Sequence, residues 1–231
     1  MRILITGANR GIGLELARLC AARGDKVFAG CRSLEQAREL NVLSAQYPGL
    51  ITILALEITD ATSVDECIRQ VEKETNALDV LINNAAIFAI GETLRTFDAD
   101  KAAQQWTVNA IGQMLVAQKA LDLLKAGVNP KIVNVTSESG SISTMESFRG
   151  YYYFGSKAAM NMFSRCMAWD PETAGIVTIA IHPGWVRTDM GGSNADLSVM
   201  ESAEGILKVI ASLSPADNGR FYTWEGKEYP W

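Results

Sequence analysis

Histidine is almost absent from this chain, since His182 is the only one among 231 residues. Metal sites built from several histidines are therefore excluded, and a histidine-based triad would depend on this one residue. Cysteine is also sparse, and the four cysteines form no Cys-x-x-Cys pair: Cys20, Cys31, Cys67 and Cys166. We expect reduced, mostly buried thiols in a cytoplasmic protein, and no metal.

Positive charge and long apolar runs are lacking as well. The formal net charge of -5 argues against a nucleic-acid surface. No apolar run is long enough to span a bilayer, and the strand-like start Met1–Ile5 leaves no room for a signal peptide. With 48% hydrophobic and 20% charged residues, we expect one folded domain over residues 1–231.

Short apolar runs alternate with helix-like segments along the chain. The runs are continuous rather than alternating, which is typical of strands covered on both faces. The predicted strands are Arg2–Thr6, Lys26–Cys31, Ile51–Ile58, Val80–Asn83, Lys131–Val135, Val177–His182 and a short one near Arg220–Tyr222. This order predicts a single-domain Rossmann fold, a doubly wound α/β parallel sheet of about seven strands with helices on both faces.

Helix signals separate these strands. Capping boxes are predicted at Ser33–Gln36 and Ser63–Glu66. The longest helix is predicted over about Ala99–Lys125, and another over about Tyr151–Met167. These helices supply the crossover connections that a parallel sheet requires.

A glycine-rich turn follows the first strand. Glycines at this point permit a tight turn, close approach of the backbone to a pyrophosphate, and close packing of helix on sheet. The helix N-terminus then offers free N–H groups to the anion, and a cation such as Arg10 is favourable there only with an anion nearby. The predicted phosphate-binding residues are Gly7, Asn9, Arg10, Gly11, Ile12 and Gly13.

An acidic residue is missing at the end of the second strand, in the run Phe28–Arg32. NAD-binding folds usually place a carboxylate here for the ribose 2′-hydroxyl, and it would repel a 2′-phosphate. Arg32 instead offers paired hydrogen bonds to such a phosphate. We therefore expect NADP(H) to be preferred over NAD(H).

Tyr153 and Lys157 lie four residues apart on a predicted helix, so their side chains share one face. A nearby ammonium favours the phenolate, so we expect Lys157 to lower the Tyr153 pKa toward working pH. An isolated pair of this kind is usually an ordinary surface pair. Here Ser137 follows a buried-type strand, where ligands of such sheets bind, and Asn109 sits inside a helix.

These motifs, in this order, resemble the short-chain dehydrogenase/reductase family. The segments His182–Gly192 and Asn218–Trp231 are similar to a narrower group, the Sniffer-like carbonyl reductases and bacterial C-signal proteins. The resemblance implies an NADPH-dependent carbonyl reductase with Tyr153 as general acid. The implied catalytic residues are Asn109, Ser137, Tyr153 and Lys157. The implied cofactor contacts beyond the glycine turn and Arg32 are Glu57, Ile58, Asn84, Ala85, Tyr153, Lys157, Val186 and Thr188.

Two positions depart from the pattern of that family. Glu57 stands where an aspartate is usual, and Ala86 replaces a glycine. A short substrate loop is expected at about residues 190–200. The substrate is expected to be a small ketone or aldehyde in an apolar pocket, for which the aromatic candidates are Phe88, Phe148, Tyr151 and Trp185.

Other interpretations stay open. The C-signal resemblance allows an NAD(P)-binding signalling protein with little turnover, and a sugar-nucleotide epimerase or dehydratase shares the Tyr-x-x-x-Lys pair. The family resemblance favours a homodimer or homotetramer. One set of apolar side chains would suit either a subunit interface or the internal core: Leu115, Leu121, Leu124, Met160 and Phe163.

Overall fold

The computed structural model describes residues 1–231 and contains one seven-stranded sheet whose neighbouring strands all run parallel. The strands are β1 Arg2–Thr6, β2 Lys26–Cys31, β3 Ile51–Ala55, β4 Val80–Asn83, β5 Lys131–Val135, β6 Val177–His182 and β7 Phe221–Thr223. Their order across the sheet is β3-β2-β1-β4-β5-β6-β7. The predicted Rossmann-type α/β fold is confirmed.

Two strands differ from their predicted bounds. β3 ends at Ala55 rather than Ile58, because β2 ends at Cys31 and offers no further partner. The Leu56 amide donates to the Cys31 carbonyl, and the Glu57 amide then turns to the Ser63 hydroxyl. β7 is shifted by one residue toward Thr223, where His182 and Thr223 pair in register.

Helices cover both faces of the sheet. They are α1 Gly11–Ala22, α2 Arg38–Gln46, α3 Ala61–Glu74, α4 Ala99–Trp106, α5 Gly112–Lys119, α6 Leu121–Lys125, α7 Tyr152–Trp169 and α8 Val199–Ser212. One core lies between the sheet and α1, α2 and α8, and a second lies between the sheet and α3, α5, α6 and α7. None of these helices is long and apolar enough to cross a bilayer.

The second core contains side chains that the sequence left open as a subunit interface. Leu124 and Met160 are buried in it, and the other members of that set pack against it. Core burial of these residues stabilises the fold, at roughly 25 cal/mol per Å² of apolar surface removed from water.

Both predicted capping boxes are wrong. α3 begins at Ala61 because the Asp60 carboxylate accepts from the Thr62 amide, 2.9 Å away. α2 begins only at Arg38, without a side-chain cap. An aspartate one turn earlier competes with a serine for the N-cap position, and both residue types are good caps.

The long helix predicted over Ala99–Lys125 is interrupted. A π-helical turn, Thr107–Ile111, separates α4 from α5, and a further break at Ala120 separates α5 from α6. π-helical turns are rare and are frequently found at functional sites. This one contains Asn109.

The strand order reverses direction at β1, whose neighbours β2 and β4 lead to opposite edges of the sheet. Ligands of such folds bind in the crevice beyond the carboxyl ends of the strands at this point. The segments that follow β1, β2, β4, β5 and β6 therefore meet at one edge and define the candidate site.

Candidate functional site

The glycine turn after β1 has no space for larger residues. Gly7 and Gly11 have positive φ angles of 64° and 53°. A Cβ atom on Gly7 would lie 2.9 Å from the Ala85 Cα, and one on Gly13 would lie 2.3 Å from the Gly7 carbonyl oxygen. The glycines thus let the backbone turn close to the end of β4.

Asn84 and Ala85 hold this turn in place. The Asn84 side-chain amide donates to the carbonyl oxygens of Thr6 and Gly7, at 2.9 and 3.1 Å. The backbone amides of Asn84 and Ala85 both donate to the Thr6 hydroxyl at 2.9 Å. The Asn84 amide nitrogen therefore holds the glycine turn against the end of β4.

The N-terminus of α1 is open to an anion. Its N-cap residue, Arg10, makes no side-chain cap, and the first turn holds no acidic residue. Asn9 and Ile12 are half-buried in the same turn. The first backbone N–H groups of a helix lack partners within the helix, so they and the helix dipole favour a phosphate here.

Arg10 pairs with a carboxylate that the sequence did not indicate. Its Nη1 lies 2.8 Å from Asp189 Oδ2, and both side chains are largely exposed. Thr188, the residue before it, packs over the start of α1, with its Cγ2 3.3 Å from where a Cβ on Gly11 would lie. The segment after β6 thus meets the glycine turn across the crevice.

The ends of β2 and β3 carry the adenine-side candidates. Arg32 follows β2 and is exposed. The Glu57 carboxylate accepts from the Thr59 amide at 3.1 Å and from the Thr59 hydroxyl at 2.8 Å. Ile58 is buried in the core against α5. Of the two charged residues here, Glu57 is bonded to Thr59, whereas Arg32 is exposed to solvent.

Tyr153 and Lys157 share the buried face of α7. The Lys157 Nζ donates to the Val135 carbonyl at 3.0 Å and lies 5.6 Å from the centre of the Tyr153 ring. Burial lowers the pKa of Lys157 to about 8. Burial also raises the pKa of Tyr153 to about 12, although the nearby Ser137 hydroxyl acts in the opposite direction.

The expectation that Lys157 lowers the Tyr153 pKa is thus wrong for this structure. Removing a phenolate from water raises the Tyr153 pKa by more than the nearby Ser137 hydroxyl lowers it. The Lys157 ammonium donates to the Val135 carbonyl instead of to the phenol. The phenol is protonated at neutral pH.

Ser137 lies at the end of β5 beside this pair. Its hydroxyl accepts from the Ser139 amide at 3.1 Å and so caps a short 3₁₀ turn, Glu138–Gly140. The Ser137 hydroxyl also lies near enough to Tyr153 to oppose the effect of burial on the Tyr153 pKa.

Asn109 ties three parts of the site together. Its side-chain oxygen accepts from the Ile87 amide at 2.8 Å, and its nitrogen donates to the Ile87 carbonyl and to the Ser156 hydroxyl. These hydrogen bonds stabilise an asparagine inside a helix, where this residue type is otherwise a poor helix former. They fix the loop after β4 against α7.

A family model described as short chain dehydrogenase matches residues 1–197. This match covers far more than half of the chain. The chain belongs to the short-chain dehydrogenase family. It is therefore an oxidoreductase by family, as the motifs predicted.

Individual relatives agree with this assignment. The C-signal protein of Myxococcus xanthus is 41% identical over 157 residues, which cover 68% of this chain and 95% of that protein. NADPH-bound carbonyl reductase from chicken fatty liver is 36% identical with a TM-score of 0.93, over 100% of this chain and 98% of that one. Carbonyl reductase Sniffer of D. melanogaster is 31% identical with a TM-score of 0.93, over 100% and 99%. The predicted resemblance to these two groups is confirmed.

The aromatic residues predicted to line a substrate pocket in this short-chain dehydrogenase are exposed. The Phe88 ring meets the Tyr153 ring edge-on at 4.8 Å, and the Phe148 and Tyr151 rings lie 5.0 Å apart. All four predicted pocket aromatics are partly open to solvent, Trp185 at 52% exposure. The Trp185 indole donates to the Gly191 carbonyl at 2.8 Å.

The predicted substrate loop, residues 190–200, is fixed at its two ends. Val186 is buried and forms a bridge with Leu197, supported by a hydrogen bond from the Arg187 amide to the Leu197 carbonyl. α8 begins at Val199, inside the predicted range. The irregular part of the loop therefore lies between the bridge residues Val186 and Leu197.

Sequence reasoning missed two buried polar residues of this short-chain dehydrogenase. The Gln113 side chain accepts from the Thr6 hydroxyl and donates to the Ala85 carbonyl. Glu92 accepts from backbone amides at the start of α7. The only available signal was a polar residue within an apolar stretch, which does not identify a distant partner.

Proposed function

We propose that this short-chain dehydrogenase reduces the carbonyl group of a small ketone or aldehyde to an alcohol, with NADPH as hydride source. The carbonyl carbon gains the hydride, and the oxygen gains a proton from Tyr153. The observation that carries this proposal is the juxtaposition of Ser137, Tyr153 and Lys157 at the sheet edge that also holds the glycine turn.

The chain's own groups fit a phosphorylated dinucleotide. The uncapped N-terminus of α1 suits the pyrophosphate, and the tight glycine turn allows its close approach. The exposed Arg32, with no acid in the preceding strand, suits a 2′-phosphate. Carbonyl reductases of this family have been solved with NADPH or NADP bound, which supports the preference for NADP(H).

Each polar group of the centre has a distinct part in the reaction. When bound, NADPH supplies the hydride. The Ser137 hydroxyl orients the substrate carbonyl, and the Tyr153 phenol donates its proton to the carbonyl oxygen. A pKa of about 12 keeps that phenol protonated at neutral pH, as reduction requires. Lys157, the cation next to it, would hold the nicotinamide ribose hydroxyls.

Further contacts follow from the same arrangement. Asn109 orders the π-helical turn beside Ser156 and would position a water that connects Lys157 to solvent. Val186 and Thr188 would contact the nicotinamide, and Glu57 and Ile58 would contact the adenine. We further propose residues 190–200 as the substrate loop, closing an apolar pocket with Phe88 and Tyr151.

A turnover assay tests the proposal. NADPH and NADH are offered separately with a panel of ketones, aldehydes and quinones, and loss of reduced-nicotinamide absorbance is followed. We expect turnover with NADPH and a loss of at least ~100-fold in Tyr153→Phe, since general acid catalysis contributes this much. NADPH binding without turnover on any carbonyl would contradict the reductase proposal.

A signalling role is the second candidate, favoured by the 41% identity to C-signal. In that case NAD(P) binding and not turnover would matter. A cellular phenotype preserved in Tyr153→Phe would support this role, and a phenotype lost in that variant would support catalysis.

Location and assembly complete the proposal. We infer a cytoplasmic protein, because all four cysteines are free and three are buried. We also infer a homodimer or homotetramer, because Trp106, Ile111 and Met162 expose apolar surface on the helices around α7. Light scattering that gives a monomer at micromolar concentration would exclude the oligomer.

A further inference from the structure

Glu92 is a buried carboxylate outside the predicted site. It lies in the loop after β4, is only 7% exposed, and directs its carboxylate to the beginning of α7. Its Oε1 accepts from the backbone amide of Tyr152 at 2.8 Å and also from that of Tyr151. The carboxylate therefore binds the two amides that directly precede Tyr153 in the chain.

α7 has no cap within its own sequence. Its N-cap residue, Tyr151, makes no side-chain cap, and the first turn contains no acid. The first amides of a helix need partners, and a negative charge there is stabilised by the helix dipole. Glu92 meets both needs from a segment 59 residues earlier.

The carboxylate is charged at neutral pH. Burial alone would raise the pKa of Glu92, but hydrogen bonds from the backbone amides of Tyr152, of Glu92 itself and of Tyr151 bring it below its usual value. Gly150, with φ 123°, passes so close that a Cβ atom there would lie 3.0 Å from Oε1. The backbone before α7 is thus shaped around this carboxylate.

A second contact joins the same two segments. The Asp98 amide donates to the Tyr152 hydroxyl at 2.7 Å, and the Phe97 ring lies 5.4 Å from the Tyr152 ring. The loop around residues 92–98 and the first turn of α7 therefore form one packed unit. Phe88, from the same loop, contacts Tyr153 directly.

We propose that Glu92 is a positioning residue for the catalytic tyrosine. By fixing the amides of Tyr151 and Tyr152, it sets where α7 begins and hence how the Tyr153 phenol faces Ser137. This role rests on the proposed reductase function, because it concerns the geometry of that reaction. Small displacements of a catalytic group cost large factors in rate.

Two variants separate the hydrogen bonds from the charge. Glu92→Ala removes the acceptor, whereas Glu92→Gln keeps an oxygen where Oε1 accepts both amides. Asp60→Ala is the matched control, because it removes a carboxylate cap from α3, which carries none of the proposed site residues. All are compared at a temperature where each is folded.

The first measurement is amide hydrogen exchange over residues 148–160. We expect faster exchange at the start of α7 in Glu92→Ala, near-wild-type exchange in Glu92→Gln, and no change there in Asp60→Ala. Unchanged exchange in Glu92→Ala would overturn the proposal. This readout needs no turnover. It therefore tests whether Glu92 fixes the start of α7 even if the wild-type protein reduces no carbonyl and the proposed function fails.

The second measurement is steady-state kinetics. We expect kcat to fall ~10- to 100-fold in Glu92→Ala, with the KM for NADPH within ~3-fold of wild type, because the phosphate end is untouched. Glu92→Gln should stay within ~3-fold of wild-type kcat, and Asp60→Ala should be unaffected. Faster exchange with unchanged kcat in Glu92→Ala would refute the positioning role.

Discussion

Lys157 carries its charge in a closed environment. Its side chain is 3% exposed, and the one hydrogen bond of its ammonium goes to the Val135 carbonyl. A buried ammonium with one partner is poorly compensated for lost hydration. The pKa of about 8 reflects that cost, so this proposed catalytic residue destabilises the fold.

We expect Lys157→Met to stabilise the cofactor-free protein at pH 7 while turnover is lost. Methionine fills a similar volume without a charge. A fall of the lysine pKa from 10.5 to about 8 corresponds to about 3 kcal/mol at most. The free energy of unfolding, measured in urea, should therefore rise by about 1–3 kcal/mol.

The control is the pH dependence of the difference in free energy of unfolding between Lys157→Met and the wild type. The folded lysine has the lower pKa, so between pH 8 and 10.5 the unfolded chain binds more protons, and wild-type stability rises with pH. The cost is complete below pH 8 and is relieved toward pH 10.5. A Lys157→Met advantage that stays constant across this range would contradict the buried-charge explanation.

The same pair shows what residue spacing predicts. An interval of four residues places Tyr153 and Lys157 on one helical face without further information. Their pKa values depend on burial by β5 and the loop after β4, which are distant in sequence. Spacing therefore predicts the pairing but not the direction of the Tyr153 shift.

At the scale of elements, strands follow from local sequence more closely than helix interruptions do. Continuous apolar runs predict β1, β2, β4, β5 and β6 with their bounds. The π-helical turn at Thr107–Ile111 is stabilised by Asn109 bonding to Ile87, 22 residues away. The local sequence pattern does not indicate that distant partner, so it predicts an uninterrupted helix here.

Two buried asparagines test this explanation. Asn109 makes three side-chain hydrogen bonds, whereas both polar atoms of the Asn161 side chain have no partner within the protein. We expect Asn109→Ala to lower the free energy of unfolding by about 2–3 kcal/mol, because Ile87 loses its partners. Asn161→Ala should cost at least about 1 kcal/mol less.

Urea unfolding of both variants under one condition makes the comparison. Both remove the same atoms from buried helical positions, so the cavity terms are similar. Equal losses would show that volume, and not the bonds to Ile87, accounts for the role of Asn109.

At the scale of the whole molecule, topology brings the candidate site together. Parallel strands end at one edge, so residues after β1, β2, β5 and β6 converge although they are far apart in sequence. This convergence follows from the strand order of the fold class. Contacts between loops do not: Arg10 meets Asp189 across 179 residues, through side chains that no periodicity connects.

Because the cofactor would bind where these segments converge, its binding should stabilise the whole fold, and the preferred cofactor should stabilise it more. A ligand that binds only the folded state stabilises it by about 2.7 kcal/mol at a concentration 100 times its dissociation constant. Arg32 lies free at the end of β2, where it can bind a 2′-phosphate. At equal concentrations, we therefore expect NADPH to raise the melting temperature several degrees more than NADH does.

Replacing Arg32 should remove that difference and leave the NADH shift unchanged, because only the 2′-phosphate distinguishes the two cofactors. Arg69→Ala is the matched control: Arg69 is an exposed arginine on α3 that pairs with Glu66 and is not among the proposed site residues. Thermal unfolding of the three proteins with each cofactor measures the effect. If Arg32→Ala retains the full NADPH advantage, another cation reads the phosphate, and Arg10, already paired with Asp189, would be the next residue to replace.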